Sequence, residues 1–289
     1  MTVYNLGSIN ADHVYAVPHL PVAGETLAAT ALQRGLGGKG ANQSVAMAQA
    51  GAKVVHMGAV GPDGAWATAR LQSLGVDCGA VATVATPTGH AIVCFDPKGE
   101  NQIVLFPGAN RALPDTVLQP LQNCGAGDWL VLQNETNLQC EAAQLARQRG
   151  ARVAYSAAPF CVEAVQNMLG LADMIIMNAG EAAQLIAALG CDVGQLAVPV
   201  VVVTRGADGA DWHDTASATQ ISVPAHKVQP VDTTGAGDTF AGFLLAGLHA
   251  GASATAALQL ASAAAALKVT RPGTADAIPS KAEVQAFLA

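Results

Sequence analysis

Six short apolar runs rich in β-branched residues recur along the chain, at Val3–Ile9, Lys53–Val60, Trp129–Gln133, Arg152–Ser156, Met174–Asn178 and Pro199–Thr204. Stretches with helical periodicity separate most of them, and strands that alternate with helices pair in parallel through crossovers. The pattern therefore predicts an α/β fold built on a doubly wound, mostly parallel sheet flanked by helices. Composition agrees. Hydrophobic residues make up 51% of the 289 residues and aromatics only 4%, so the core must come from Ala, Val, Leu and Ile, which suits a sheet buried on both faces. A chain of this length supports one main core with an appendage, that is, a single α/β domain over residues 1–289. Helices are predicted over Asn42–Ala50 and Glu135–Arg149, each stopped by a glycine (Gly51, Gly150) at the position that favours left-handed backbone. A long Ala-rich helix is predicted from an N-cap at Ser253 to about Val269.

Two segments break this rhythm: His13–Gln33, and Gly89–Phe106 with its turn Asp96-Pro97-Lys98-Gly99-Glu100. Both read as alternating strands and hairpins, so they predict a small second sheet lying over one end of the main one. The formal charge of −7, without any Lys/Arg cluster, provides no field for a phosphate polymer, which argues against a nucleic-acid partner. No apolar run approaches the roughly 20 residues that span a bilayer, and the start Met1-Thr2-Val3-Tyr4-Asn5 lacks the basic and apolar regions of a signal peptide. Six single cysteines with no C-x-x-C pair fit reduced thiols, so a cytoplasmic location is expected. The seven histidines are scattered and form no H-E-x-x-H zinc pattern.

Two glycine-rich segments carry the candidate chemistry. In Asp232-Thr233-Thr234-Gly235-Ala236-Gly237-Asp238-Thr239, small residues run directly into a helical pattern. Backbone N–H groups at Gly235, Ala236 and Gly237 can converge on one point there, where the helix dipole also favours an anion. Asp238 then sits in the first helical turn beside that point. On these residues alone, a helix-start charge explains Asp238 as well as catalysis does. The second segment, Gly35-Leu36-Gly37-Gly38-Lys39-Gly40-Ala41-Asn42-Gln43, contains G-x-G-x-x-G. A dinucleotide site also needs an acidic residue about 20 positions on, and no Asp or Glu occurs between Glu25 and Asp63. Nor is it a Walker A loop, because Lys39 is followed by Gly40. The glycines allow close approach of a small polyol, with Lys39 and Asn42 in reach of its hydroxyls. A solvated lysine on a turn is the other reading.

Taken together, these segments resemble the two signatures of the ribokinase (PfkB) family of carbohydrate kinases. Leu6-Gly7-Ser8-Ile9-Asn10-Ala11-Asp12, Pro21-Val22-Ala23-Gly24-Glu25-Thr26, Gly108-Ala109-Asn110 and Val269-Thr270-Arg271-Pro272-Gly273 extend the resemblance over nearly the whole chain. It implies a ribokinase-like fold whose small sheet, over about 13–33 and 89–106, acts as a lid. Asn10, Asp12, Gly38, Lys39, Asn42 and Glu135 would hold the sugar, and Asp238 would act as base at the Gly235–Gly237 anion hole. Asn178 and Glu181 would serve magnesium and phosphate, with Thr204, Gly206 and Gly237 on ATP. The resemblance also implies a monovalent cation such as potassium, held by Asp232 and the carbonyls of Thr234, Lys268, Arg271 and Gly273, although Ala277 stands where the family has a hydroxyl residue. The implied reaction is transfer of phosphate from ATP to the 5-hydroxyl of ribose, in a homodimer formed through the lid. A nucleoside, fructose or a keto-deoxy sugar acid are the alternative acceptors, and a non-catalytic sugar-binding protein is the alternative class. Three departures bear on the sugar: Ser156-Ala157-Ala158-Pro159 in place of an Asn-Pro-Ala-Pro pattern, Asn134 before Glu135, and His90 in the second lid segment.

Overall fold

The computed structural model describes residues 1–289. Its main sheet is ordered by strands that are apolar on both faces. In β1 (Val3–Leu6) Val3 joins one buried cluster while Tyr4 and Leu6 join another on the opposite side. The chain continues through β2 (Asn10–Ala16), β3 (Ala31–Gly37), α1 (Lys39–Gln49), β4 (Val54–Val60), α2 (Ala65–Ser73) and β5 (Asp77–Thr83). Next come β6 (Gly89–Phe95), β7 (Asn101–Phe106), β8 (Trp129–Gln133), α3 (Gln139–Gln148), β9 (Arg152–Ser156) and α4 (Val162–Met168). β10 (Met174–Asn178), α5 (Ala179–Leu189), β11 (Val200–Thr204), β12 (Ala210–Asp214) and β13 (Thr219–Val223) precede three helices, α6 (Ala236–His249), α7 (Ala254–Val269) and α8 (Lys281–Leu288).

Nine strands form the main sheet in the order β13-β12-β11-β10-β9-β8-β1-β4-β5. The six from β11 to β4, and β5 beyond them, pair in parallel, and β12 and β13 add an antiparallel edge. Alternation sorts the core into two layers. Trp129, Val131 and Val202 pack under α1, α6 and α7 through Val45, Phe243 and Leu258. Leu130, Leu132, Val201 and Val203 pack under α3, α4 and α5 through Ala142, Val165 and Leu185. No helix is long and apolar enough to cross a membrane.

The second sheet has the order β3-β2-β6-β7. Its β6–β7 hairpin closes at the expected turn, where Asp96 N–H donates to Glu100 O at 3.0 Å. Its boundaries differ from the expected ones. The strand predicted over Val3–Ile9 ends at Leu6, because the Ile9 N–H is taken by the Asn110 side chain at 2.9 Å rather than by a neighbouring strand. Asn10 therefore opens the small sheet, which spans 10–37 and 89–106 rather than starting at residue 13 and stopping at 33. Residues 17–30 contain no strand. Two helices also shift: α1 starts at Lys39 rather than Asn42, and α3 at Gln139 rather than Glu135, while the stops at Gly51 and Gly150 and the Ser253 cap stand as expected.

Candidate active site

The strand order reverses beside β1. The chain passes from β1 to β4 and β5 on one side, then returns to β8 on the other. Crevices at such a switch, outside the carboxyl ends of the strands, are where open α/β sheets bind ligands. A cleft lies outside the carboxyl ends of β9, β10 and β11, on the β8 side of that switch, lined by Lys39, Ser156, Ala158, Ile176, Met177, Asn178, Glu181, Thr204, Gly235, Gly237 and Asp238. It brings together Asp238 with its glycines, Lys39, and three of the residues expected to face ATP. Gly206 does not line it; it begins the turn after β11 with φ of 57°. A second surface concavity, near Tyr4, Asp77 and Asn123, lies by the amino ends of β1 and β5 and holds none of the expected residues.

Two glycines let the small sheet and α1 close over the switch. A Cβ on Gly40 would lie 2.4 Å from the Gly7 backbone, so only glycine lets α1 start against the end of β1. A Cβ on Gly37 would lie 2.1 Å from the Asp12 carboxylate. Gly38 is the N-cap residue of α1 and Lys39 its first residue, so this lysine stands on a helix and not on a flexible turn.

Asp238 is buried in the first turn of α6. Its two carboxylate oxygens accept from Asn42 Nδ2 and Gln43 Nε2, both at 3.0 Å. Behind them runs a buried polar chain. Gln133 Nε2 donates to Gln43 Oε1 at 2.8 Å and to Asn5 Oδ1 at 2.9 Å, and Asn5 Nδ2 donates to Ser44 Oγ at 2.7 Å. Burial pushes His56 down to about 4, leaving it neutral. Its Nε2 faces the Gly7 carbonyl at 3.2 Å and must carry the proton, so Nδ1 accepts from the Ser44 hydroxyl at 2.8 Å. Asn42 Oδ1 has no donor within the chain.

The free amides at the start of α6 differ in one residue from those expected to form an anion hole. Gly235, at φ 73°, is the N-cap residue of α6. The Ala236 N–H is occupied by the Thr233 carbonyl at 3.2 Å, whereas the N–H groups of Gly235, Gly237 and Asp238 have no carbonyl partner. The Asp238 amide is thus free, and that of Ala236 is not.

Asn10 and Asp12 lie on one face of β2, paired with Gly37 and Gly35 of β3. Asn10 Oδ1 accepts from Asn110 Nδ2 at 2.7 Å. Burial, reinforced by the nearby Glu135, pushes Asp12 up to about 6. Glu135 sits in the turn before α3, not in the helix, and its Oε2 accepts from the Ser8 hydroxyl and from the Lys39 N–H, the latter at 3.1 Å. Two of the departures point elsewhere. His90 pairs with Ala11, on the opposite face of the small sheet from Asn10 and Asp12, with its ring 5.2 Å from that of Phe106. The Asn134 side chain donates to the Pro159 carbonyl at 2.9 Å. Asn178 and Glu181 form a capping box at the start of α5, exchanging hydrogen bonds of 2.9 and 2.7 Å.

One expected element has a different character. Asp232 Oδ1 accepts from Thr234 N–H and Oδ2 from Gly273 N–H, each at 2.9 Å. Burial opposes ionisation of Asp232, but these amides and a lysine hold its carboxyl below the usual range. That lysine is Lys268, expected to offer only its carbonyl. Its side chain is fully buried, and Nζ donates to the Asp232 carbonyl at 2.9 Å and lies 3.9 Å from Oδ2. Arg271 turns outward to Glu283 at 2.8 Å.

Known proteins share this arrangement of elements. Ribokinase of Haemophilus influenzae is 35% identical, over 99% of this chain and 98% of that one. Ribokinase of Bacillus subtilis is 32% identical over 98% of each, and a Salmonella typhi deoxyribokinase is 31% identical over 100% of this chain and 99% of its own. Among solved structures, Arabidopsis thaliana ribokinase complexed with ribose and ATP superposes with a TM-score of 0.88 at 28% identity, covering 99% of this chain and 98% of that one. The sequence pattern of the pfkB family carbohydrate kinases matches residues 2–281, and on that match, with relatives and a fold of the same kind, the chain belongs to the pfkB family of carbohydrate kinases.

Proposed function

We propose that this kinase transfers phosphate from ATP to the 5-hydroxyl of D-ribose. The observation that carries the reading is a single cleft in which the Asp238 carboxylate lies beside three free backbone N–H groups, with Asn178, Glu181 and Thr204 on its other wall. Phosphoryl transfer asks mainly for position and for neutralisation of charge on the moving group. Asp238, held by Asn42 and Gln43, accepts the hydroxyl proton, while the N–H groups of Gly235, Gly237 and Asp238 face the γ-phosphoryl oxygens. Asn10, Asp12, Gly38, Lys39, Asn42 and Glu135 bind the other hydroxyls; the unpaired Asn42 Oδ1 is an acceptor available to one of them. The Asn10–Gly37 sheet with the β6–β7 hairpin covers the sugar and keeps water from the phosphoryl group.

Magnesium fits this site in the form in which it accompanies a triphosphate. No group of three or more His, Cys, Asp or Glu side chains could cage a metal, and magnesium commonly keeps its waters and binds through phosphates and one or two carboxylates. Glu181, with Asn178, would hold it, and it would neutralise phosphate charge. Thr204 and Gly206 would border the nucleotide. The six free cysteines suit a reducing, cytosolic setting. A homodimer through the small sheet is supported by β7, exposed at every residue and carrying Ile103, Val104, Leu105 and Phe106.

Ribose is favoured over other acceptors by the relatives' names and by a polar set of carboxylates, amides and one ammonium, with no further cation for a sugar acid. Initial rates of ADP formation with ribose, 2-deoxyribose, fructose, adenosine and cytidine test it. Ribose should lead in kcat/KM, and 2-deoxyribose should fall behind because a buried partner left unpaired costs about 1–3 kcal/mol. A leading nucleoside refutes the ribose assignment, and no turnover with any acceptor refutes the kinase.

A further inference from the structure

The cation site implied by the family does not fit an added metal ion in this chain, and the reason is a side chain already there. All three oxygens of Asp232 are engaged: Oδ1 by the Thr234 N–H, Oδ2 by the Gly273 N–H, and the carbonyl by Lys268 Nζ at 2.9 Å. Ala277 contributes no side-chain oxygen. Lys268 is fully buried in the last turn of α7, with its ammonium 3.9 Å from the Asp232 carboxylate. A second cation among these groups would face that buried ammonium at short range, where like charges repel.

Full burial of a lysine is unusual unless its charge is used. Lys268 spans from α7 to the segment that leads into the anion hole, since Asp232 precedes Gly235 by three residues. We infer that the Lys268 ammonium serves as a built-in monovalent cation, tying α7 to the Asp232–Gly235 segment and fixing the free amides of Gly235, Gly237 and Asp238, so that this kinase works without potassium. The inference rests on the kinase reading above. It makes Lys268 a positioning residue, because the side chain touches the segment that holds the amides and no reacting atom.

The test measures ADP formation and thermal melting in potassium, sodium and tetramethylammonium chloride at equal ionic strength. The wild type should show the same rate in all three to within about twofold, and a melting temperature that potassium raises no more than the other salts do, since a ligand that does not bind the folded state gives no shift. Lys268→Ala opens the space that the ammonium fills. It should lose roughly tenfold or more in kcat without potassium, regain part of it with potassium, and acquire a potassium-specific rise in melting temperature. Lys268→Met keeps the apolar stem, so it should be slow in every salt. A wild type accelerated several-fold by potassium over sodium, or stabilised specifically by it, overturns the inference, as does a folded Lys268→Ala that is fully active in tetramethylammonium. If neither variant folds, the wild-type rates and melting curves still decide. Absence of turnover in every salt refutes the kinase reading instead, and the melting curves remain to judge the lysine.

Discussion

Replacing Asp238 by Asn separates its chemistry from its packing. The carboxylate accepts two hydrogen bonds, from Asn42 and Gln43, each at 3.0 Å. An amide can accept only one, from Gln43, and its NH2 can then donate to Asn42 Oδ1, which has no other donor, once the Asn42 amide turns over. Gln43 cannot simply turn over, because its Oε1 takes the Gln133 amide at 2.8 Å, and turning it would pass the mismatch on to Asn5. The substitution therefore replaces hydrogen bonds to a charged group by neutral ones, a loss of about 1–2 kcal/mol, and at about 2 °C per kcal/mol for a chain of this size the melting temperature should fall by roughly 2–4 °C. The chemical loss is larger. Removing a general base costs about 10²–10⁴-fold, and here about a thousandfold in kcat is expected, equivalent to about 4 kcal/mol in the barrier. Sugar and ATP binding should change little, so KM stays near the wild-type value. Steady-state rates with saturating ATP, alongside a melting curve, give both numbers. A variant that keeps kcat to within about tenfold while melting lower shows that Asp238 only holds the structure.

The pH profile should report Asp12. With its pKa raised to about 6, kcat/KM should fall as pH drops through about 6, because the protonated carboxyl stops accepting from the sugar. Stability should run the other way: the folded state binds this proton more tightly than the unfolded chain, so this group's contribution is present at low pH and is lost as pH rises from about 4 through about 6. Asp12→Asn should remove both trends, and an unchanged profile in that variant assigns them to another group. Gly40→Ala would force a Cβ to 2.4 Å from Gly7, so α1 must shift, carrying Lys39 and Asn42 with it; kcat/KM should drop by roughly tenfold or more, and an unaffected variant shows that the α1 start does not govern the site. Val104→Lys on the exposed β7 strand should turn the proposed dimer into a monomer by light scattering, while a wild type that is monomeric across working concentrations rules the dimer out.

The strands β8, β9 and β10 were legible to the residue because their apolar runs are short, buried on both faces and bounded by turns. β5, β12 and β13 were not. β12 carries Asp211, His213 and Asp214, and β13 carries Gln220 and Ser222, so at the sheet edge the apolar signal that marks a central strand is missing. The Val3–Ile9 run misled because its second half is apolar for a different reason: Ile9 is buried where the chain crosses between the two sheets, with its N–H on Asn110. The helix predicted to start at Glu135 failed similarly. Nothing local says that its carboxylate reaches back to Ser8 and the Lys39 N–H.

Those failures separate the site into two kinds of residue. Gly235, Gly237 and Asp238 are placed by local backbone geometry, which small residues before a helix announce. The residues behind Asp238 act through long-range partners: Asn5, Gln43, Gln133 and His56 are each an ordinary polar residue in sequence, and only the fold shows that they form one buried chain ending on the carboxylate. Such a chain has a consequence for substitution. Gln133 donates to two members through one amide nitrogen, so replacing it by Leu leaves Asn5 Oδ1 and Gln43 Oε1 without donors at once, a greater loss than the single bond from Gln43 to Asp238 represents. Lys268 belongs to the same kind. As a carbonyl ligand it reads like any residue at the end of a helix; as an ammonium it depends on α7 running past Asp232, a contact between positions 36 residues apart. Where a charge is supplied by a side chain crossing between elements, the pattern of a motif can be complete while the group that fills its centre has changed.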